Sequence, residues 1–184
     1  KGHKMPESWF DLLDPKWKGE IVMPSPVSSG TAFMINASFL QLLGWDKGWD
    51  FLEKLDANVA QYTKSGNTPL EQVGRGEFML GITSDEKVPQ RLQQGFPIYW
   101  SVPKEGIGYE GNMVAIVKGT KQLQAAKKIV NFAGLEKFQR WLAQFGYLTA
   151  RDAPNPLYPS KPKFVDYSYE WAADNQARVI ETWK

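Results

Sequence analysis

The clearest change of pattern along the chain is at Ile21-Val22-Met23, a short apolar run broken by Pro24 and followed by Ser28-Ser29-Gly30-Thr31. An apolar-periodic segment begins at Ala32, so the stretch reads as strand, tight loop and helix start. The predicted strand is Glu20–Met23. Before it, Pro6 to Leu13 predicts a short helix with Ser8 as N-cap, ended by Asp14-Pro15. After it, residues 32–43 are apolar almost all round, as in a buried helix, and Gly44 closes them. Lys47 to Ala57 predicts a second helix with Trp49, Leu52 and Leu55 on one side, and Val59–Tyr62 a short strand. Thr68 is the expected N-cap of a helix that starts at Pro69 and runs to Val73, stopped by Gly74 and Gly76. Phe78–Ile82 is a near-continuous apolar strand of the kind found in parallel sheets covered on both faces. A polar helix follows Thr83-Ser84-Asp85 and ends near Gln94. Ile98–Val102 predicts another strand.

Strands alternating with helices at this spacing predict an α/β fold with a mostly parallel sheet flanked by helices on both faces. Ligands of such sheets sit beyond the carboxyl ends of the strands. The loops at 28–31, 63–68 and 83–85 lie there, and all are rich in Ser, Thr, Gly or Asn. A helix N-terminus with free N–H groups and hydroxyls suits an anion. The pattern then shifts beyond Asn112. Met113–Val117 predicts a strand, Gln122–Ala133 an amphipathic helix and Glu136–Phe145 another. Pro154–Pro162 holds four prolines and reads as an extended connector. The segment from Phe164 to Trp183 contains a last helix with Trp171, Ala172, Val179, Ile180 and Trp183 as its apolar face.

Composition narrows the chemistry. The 184 residues are 42% hydrophobic and 23% charged, ordinary for a globular chain long enough for one domain or one lobe with appendages. A net charge of +2 gives no basic field that would argue for nucleic acid. No apolar stretch approaches the roughly 20 residues of a transmembrane helix. With 0 Cys there is no thiolate chemistry, and the 1 His, His3, lies in a polar terminus, which argues against a His-based metal site or a Ser-His-Asp triad. The first residues, Lys-Gly-His-Lys-Met-Pro, contain no apolar signal-peptide core. The 8 Trp are many, and Trp9, Trp49 and Trp171 fall at helical spacings that place them in a core.

Several segments in order resemble one family. They are PESWFDLLDPKWKG (6–19), MPSPVSSGTAF (23–33), YTKSG (62–66), GEFMLGI (76–82), PKEGIG (103–108), VAIVKG (114–119) and EWAADNQARVIETWK (170–184). Together they resemble the second half of a bacterial periplasmic solute-binding protein, of the extracellular type serving ferric-iron, 2-aminoethylphosphonate and sugar-phosphate ABC importers. The 2-aminoethylphosphonate branch looks most similar. The resemblance implies a type II periplasmic-binding-protein lobe at 1–110. Residues 111–150 would be a return segment that packs on a first lobe, and 151–184 an extended connector with a C-terminal helix. A first lobe of about 100 to 130 residues would precede this chain. It also implies periplasmic localisation (or a lipid anchor outside a Gram-positive cell), an ABC permease partner in the inner membrane, and self-association where the first lobe is absent.

The residues singled out for the ligand are Ser28, Ser29, Gly30, Thr31, Ser65, Gly66, Thr83, Ser84, Asp85 and Tyr109. Each has a plainer role open to it: Ser28, Ser29, Thr31 and Asp85 as helix caps, Glu105 and Tyr109 as solvated loop. Ferric members of the family carry a Tyr pair after the strand matching 78–82. Here Thr83-Ser84-Asp85-Glu86 stands in its place, which argues against ferric ion and suits an ammonium group beside Asp85 or Glu86. The expected function is therefore capture of a small anionic solute, an organophosphonate or a phosphate ester. No catalytic residues, metal, cofactor or nucleic-acid partner are expected. The alternatives are a ferric-iron receptor, a ligand-sensing domain of a regulator, and, last, a phosphate-ester enzyme. No phosphate-binding Gly-x-x-x-x-Gly-Lys or Gly-x-Ser-x-Gly motif supports the enzyme.

Overall fold

The computed structural model describes residues 4–109, 111, 113–147, 149 and 162–184, with the backbone but not the side chain of Glu86. His3, Asn112 and positions 154–161 of the proline-rich connector lie outside the described residues. Strand β1 (Ile21–Pro24) is the middle of a three-stranded parallel sheet in the order β2-β1-β3, with β2 at Val59–Thr63 and β3 at Leu80–Gly81. Every residue of β1 is buried. Ile21 and Met23 join the main core, while Val22, facing the other way by the two-residue strand period, is also fully buried. The central strand is therefore covered on both faces, whereas Ala60 and Gln61 of β2 and Gly81 of β3 are exposed, so the full cover expected for the strand at 78–82 is found at β1 instead.

The main core lies between β1 and helices α1 (Gly30–Leu43), α2 (Trp45–Asp56) and, further along the chain, α7 (Tyr169–Trp183). Gly44 joins α1 to α2 at φ +82°, a conformation that penalises any side chain with a Cβ. The apolar periodicity of α7 is realised by Val179 and Ala172, both buried, with Val179 in the main core and Ala172 beside Ala37 of α1. A separate cluster of Leu70, Val88 and Ile98 ties α3 (Thr68–Gly74) to α4 (Val88–Gln93) and to the chain at 98.

Four expectations are corrected. Ile98–Val102 does not join the sheet: Ile98 enters the small cluster, and Ser101 Oγ donates to Pro6 O at 2.9 Å, so side chains and single bonds anchor it rather than a ladder. The strand expected at 78–82 shrinks to Leu80–Gly81. Leu80 N–H donates to Glu20 O and Ile82 N–H to Val22 O, and Pro24, which has no N–H, ends β1. Thr68 is the first residue of α3 rather than its cap; Asn67 precedes it without a side-chain cap bond. Met113–Val117 forms no strand, and Met113 is 92% exposed, because among the described residues no strand lies against it.

Helices α5 (Leu123–Ala133) and α6 (Glu136–Ala143) form where the periodicity put them. Their apolar face is not covered. No residue of α5 is buried, and Ile129, Phe132 and Trp141 are at least half exposed. Aromatic contacts run along this face, Phe132 to Phe138 at 4.8 Å between ring centroids and Trp141 to Phe145 at 4.9 Å.

The chain after the cleft-lining loop is clasped to the N-terminal segment. Ser8 caps a 3-10 helix at Trp9–Leu13 in a reciprocal capping box with Asp11. Its Oγ also donates to Glu105 Oε1 at 2.5 Å, Trp9 N–H donates to Glu105 Oε2 at 3.1 Å, and Trp9 Nε1–H donates to Gly106 O at 2.8 Å. Glu105, in a loop open from sequence to a hinge, ligand or solvated role, is thus a partly buried anchor. Burial alone would raise its carboxyl pKa, but these donated hydrogen bonds outweigh it and hold the group below its ordinary 4.5. A carboxyl lowered on folding stabilises the fold above its unfolded pKa, and that contribution disappears as pH falls through the lower folded value. Glu105→Gln should therefore cost about 1–2 kcal/mol at pH 7. It should also flatten the acid limb of stability below pH 4.5 in denaturant melts compared with the unsubstituted chain.

Candidate functional site

Because β1 lies between β2 and β3, the loops after all three strands open on the same carboxyl edge. The structure brings the predicted loops together there. Thr83 Oγ1 donates to Gly66 O at 2.6 Å and Ser84 Oγ to Asn67 Oδ1 at 3.3 Å, linking the loop after β3 to the loop after β2. Ser28 Oγ donates to Lys64 O at 3.3 Å, linking the loop after β1 to the same neighbour. Gly66 lies directly on Thr31: a Cβ at Gly66 would fall 2.6 Å from Thr31 Oγ1. Only glycine permits this approach, which gives Gly66 a packing role.

Beside these loops is a cleft of about 1110 Å³. Thr31, Thr83, Ser84, Asp85 and Tyr109 line it. The other predicted residues support it from behind or lie at its side. Ser29 is buried and its Oγ accepts the Ala32 N–H at 3.3 Å, so it is the cap of α1. Gly30 is the exposed first residue of α1, Ser28 bonds as above, and Ser65 O accepts from Thr63 Oγ1 at 2.9 Å. Capping is thus divided: Ser29 satisfies the helix, which leaves the neighbouring Thr31 facing the cleft. Asp85 does not cap the turn that follows; that place belongs to Ser84, and Asp85 begins the 3-10 turn Asp85–Lys87.

Tyr109 closes one end of the cleft. Its ring meets Phe164 edge-on at 5.2 Å and Tyr169 at 6.0 Å, and its carbonyl accepts from Tyr169 Oη at 3.2 Å. Residues that sequence reasoning did not single out also matter. Asn67 holds Ser84, and Tyr99, 86% exposed, stands in the cleft wall.

Among the described residues, the cleft wall contains no Lys or Arg, and Asp85 is its one formally charged member. A negatively charged guest would therefore be held by neutral donors: hydroxyls and the first N–H groups of the 14-residue helix α1.

An open parallel sheet that gathers hydroxyl-bearing loops around a cleft at its carboxyl edge defines a ligand-binding α/β lobe. A family model described as bacterial extracellular solute-binding protein matches residues 1–172, and the chain belongs to that family. An uncharacterized protein of Haemophilus influenzae is 36% identical over 189 aligned positions, covering 98% of this chain and 55% of that protein. A Salmonella typhimurium protein provisionally named as 2-aminoethylphosphonate-binding and periplasmic is 29% identical over 142 positions, 69% of this chain and 40% of that protein. The periplasmic binding protein AfuA from Actinobacillus pleuropneumoniae, solved with fructose 6-phosphate bound, superposes with a TM-score of 0.82 at 40% identity. That match covers 98% of this chain and 60% of AfuA. The fold is thus a type II periplasmic-binding-protein lobe, and the chain spans between 40% and 60% of the length of these relatives.

Two substitutions check the division of labour between cap and cleft. Ser29→Ala should lower stability by about 1 kcal/mol in denaturant melts, the usual cost of an N-cap. Gly66→Ala should displace Thr31 and the loop after β1, seen as shifts of the residue 28–32 amide resonances.

Proposed function

We propose that this chain is the ligand-binding second lobe of a solute receptor that captures a small phosphate ester, a sugar phosphate first of all, and passes it unaltered to an ABC permease. The observation that carries the reading is the convergence of Thr31, Thr83 and Ser84 on one cleft at the N-terminus of α1, in a chain 40% identical to a receptor solved with fructose 6-phosphate. Neutral hydroxyl and amide donors stabilise a phosphate without neutralising it and so permit release. Asp85, in the same wall, would accept hydrogen bonds from the sugar hydroxyls.

A second reading, an aminophosphonate, draws on the same Asp85 as partner of an ammonium group and on the similarity to the 2-aminoethylphosphonate-binding relative. In both readings the relatives are receptors and no chemistry is assigned to the ligand. The family and the names of those relatives support a periplasmic receptor.

The lobe assignment also gives the uncovered face of α5 and α6 a purpose. In this proposal residues 111–150 cover apolar surface of a preceding first lobe, and closure of the two lobes on the solute biases an open–closed equilibrium. The 184-residue chain alone should self-associate through Ile129, Phe132 and Trp141; sedimentation as a monomer at all concentrations would overturn that part.

Thermal melts of the complete two-lobe protein test the solute. Fructose 6-phosphate should raise the melting temperature, with smaller or no effects from inorganic phosphate, 2-aminoethylphosphonate and ferric ion. A larger response to 2-aminoethylphosphonate would select the second reading, and a response to ferric ion alone would reject both. Thr31→Val should weaken the preferred solute about tenfold, the loss of one hydrogen bond to a charged group.

A further inference from the structure

The chain from Gly106 to Gly111 is fastened to this lobe at successive points. Gly106 O accepts the Trp9 indole N–H at 2.8 Å. Ile107 N–H donates to Lys163 O, and Ile107 O accepts from Val165 N–H, both at 2.9 Å, a parallel bridge to the stretch that leads into α7. Gly108 lies so close on α1 that a Cβ there would overlap Ser38 Oγ. Among the described residues the outermost fastening is one side chain. Tyr169 Oη donates to Tyr109 O at 3.2 Å and accepts the Gly111 N–H at 2.9 Å. Past that point Met113, Val114 and Val117 are exposed.

Tyr169 is itself held in place. It is the first residue of α7, and Val179 of that helix sits in the main core. Gln41 of α1 grips the preceding residue twice: Ser168 N–H donates to Gln41 Oε1 at 2.6 Å, and Gln41 Nε2 donates to Ser168 O at 3.3 Å. A phenol oxygen has one proton and two lone pairs, so a single atom serves both a carbonyl and an N–H, whereas Phe serves neither. The ring packs separately, edge-on to Tyr109 at 6.0 Å and to Tyr167 at 5.3 Å. Loss of the oxygen alone therefore leaves the aromatic contacts. What it frees is the backbone of Tyr109, whose side chain closes one end of the cleft, and of Gly111 beyond it.

We propose that the Tyr169 hydroxyl is a positioning group for solute capture: it fixes where this lobe ends, so that Tyr109 stays in the cleft wall while the lobes open and close. The inference rests on the two-lobe reading above. With the hydroxyl present the pivot lies beyond Gly111; without it the pivot retreats to Gly108, and Tyr109 moves with the first lobe. Spin labels on the complete protein, at Lys47→Cys of α2 and Lys128→Cys of α5, measure the distance between the lobes. Both positions are exposed, and this chain has no Cys of its own to compete. Without solute, Tyr169→Phe should broaden the distance distribution while the melting temperature hardly changes. Fructose 6-phosphate should bind about fivefold more weakly, because a smaller share of the protein is in the binding-competent form. Gln41→Met keeps the hydroxyl but frees the start of α7. It should move both readings in the same direction, and it decides the matter if Tyr169→Phe does not fold. A distribution unchanged in folded Tyr169→Phe protein overturns the proposal, whatever the affinity does. If fructose 6-phosphate neither binds the unsubstituted protein nor shifts its distance, the receptor reading fails instead, and the solute-free comparison still decides this one.

Discussion

The rest of the structure depends on a four-residue strand whose backbone pairs on both edges while both of its faces are buried. Ile21, Val22 and Met23 have nowhere to go but the interior, and their N–H and C=O groups must be satisfied there. Parallel partners on each side do this, Val59–Thr63 on one edge and Leu80–Gly81 on the other. Parallel pairing needs crossover connections, so α1 with α2 and then α3 are placed by the same requirement. It also forces three strand ends, and the loops leaving them, onto one edge of the sheet. The cleft follows from how the central strand is buried.

Within that frame the polar residues divide the work. Ser29 satisfies the helix, and Thr83 and Ser84 tie neighbouring loops together through Gly66 and Asn67. Thr31 faces the opening because its neighbour has taken the capping role. Opposite, Glu105 gathers Ser8 and Trp9 and holds the 103–109 segment against the N-terminus. A largely apolar cleft with a few hydroxyls at its strand-end side, and with no basic side chain among the described residues, could hold the proposed anion only through dipoles. That fits a receptor that must release its solute, since a full counter-charge in a low-dielectric wall would hold it more tightly.

Much of this could be read from residues in order. The apolar run at 21–23, the near-uniform apolarity of 32–43, the periodicity of 123–133 and the Ser8 cap each depend on near neighbours, and each element formed where it was expected. The three hydroxyl-rich loops were legible for the same reason, since a strand-to-helix transition is local. The strands expected at 98–102 and 113–117 failed because a strand exists only if another strand lies beside it, and alternation along one segment carries no information about that. Thr68 misled because hydroxyl residues before Pro resemble caps whether or not the side chain reaches a free N–H.

The sequence by itself determined the α/β order and the hydroxyl-bearing loops, because short-range periodicity and turn chemistry fix these, while the family was legible only as a run of segments resembling known members. Tertiary structure alone decided which hydroxyl caps and which faces the cleft, that Glu105 is an anchor, and that Gly66 lies on Thr31. Those outcomes depend on distances between residues far apart in the chain, and such distances are set only when the helices close over the sheet.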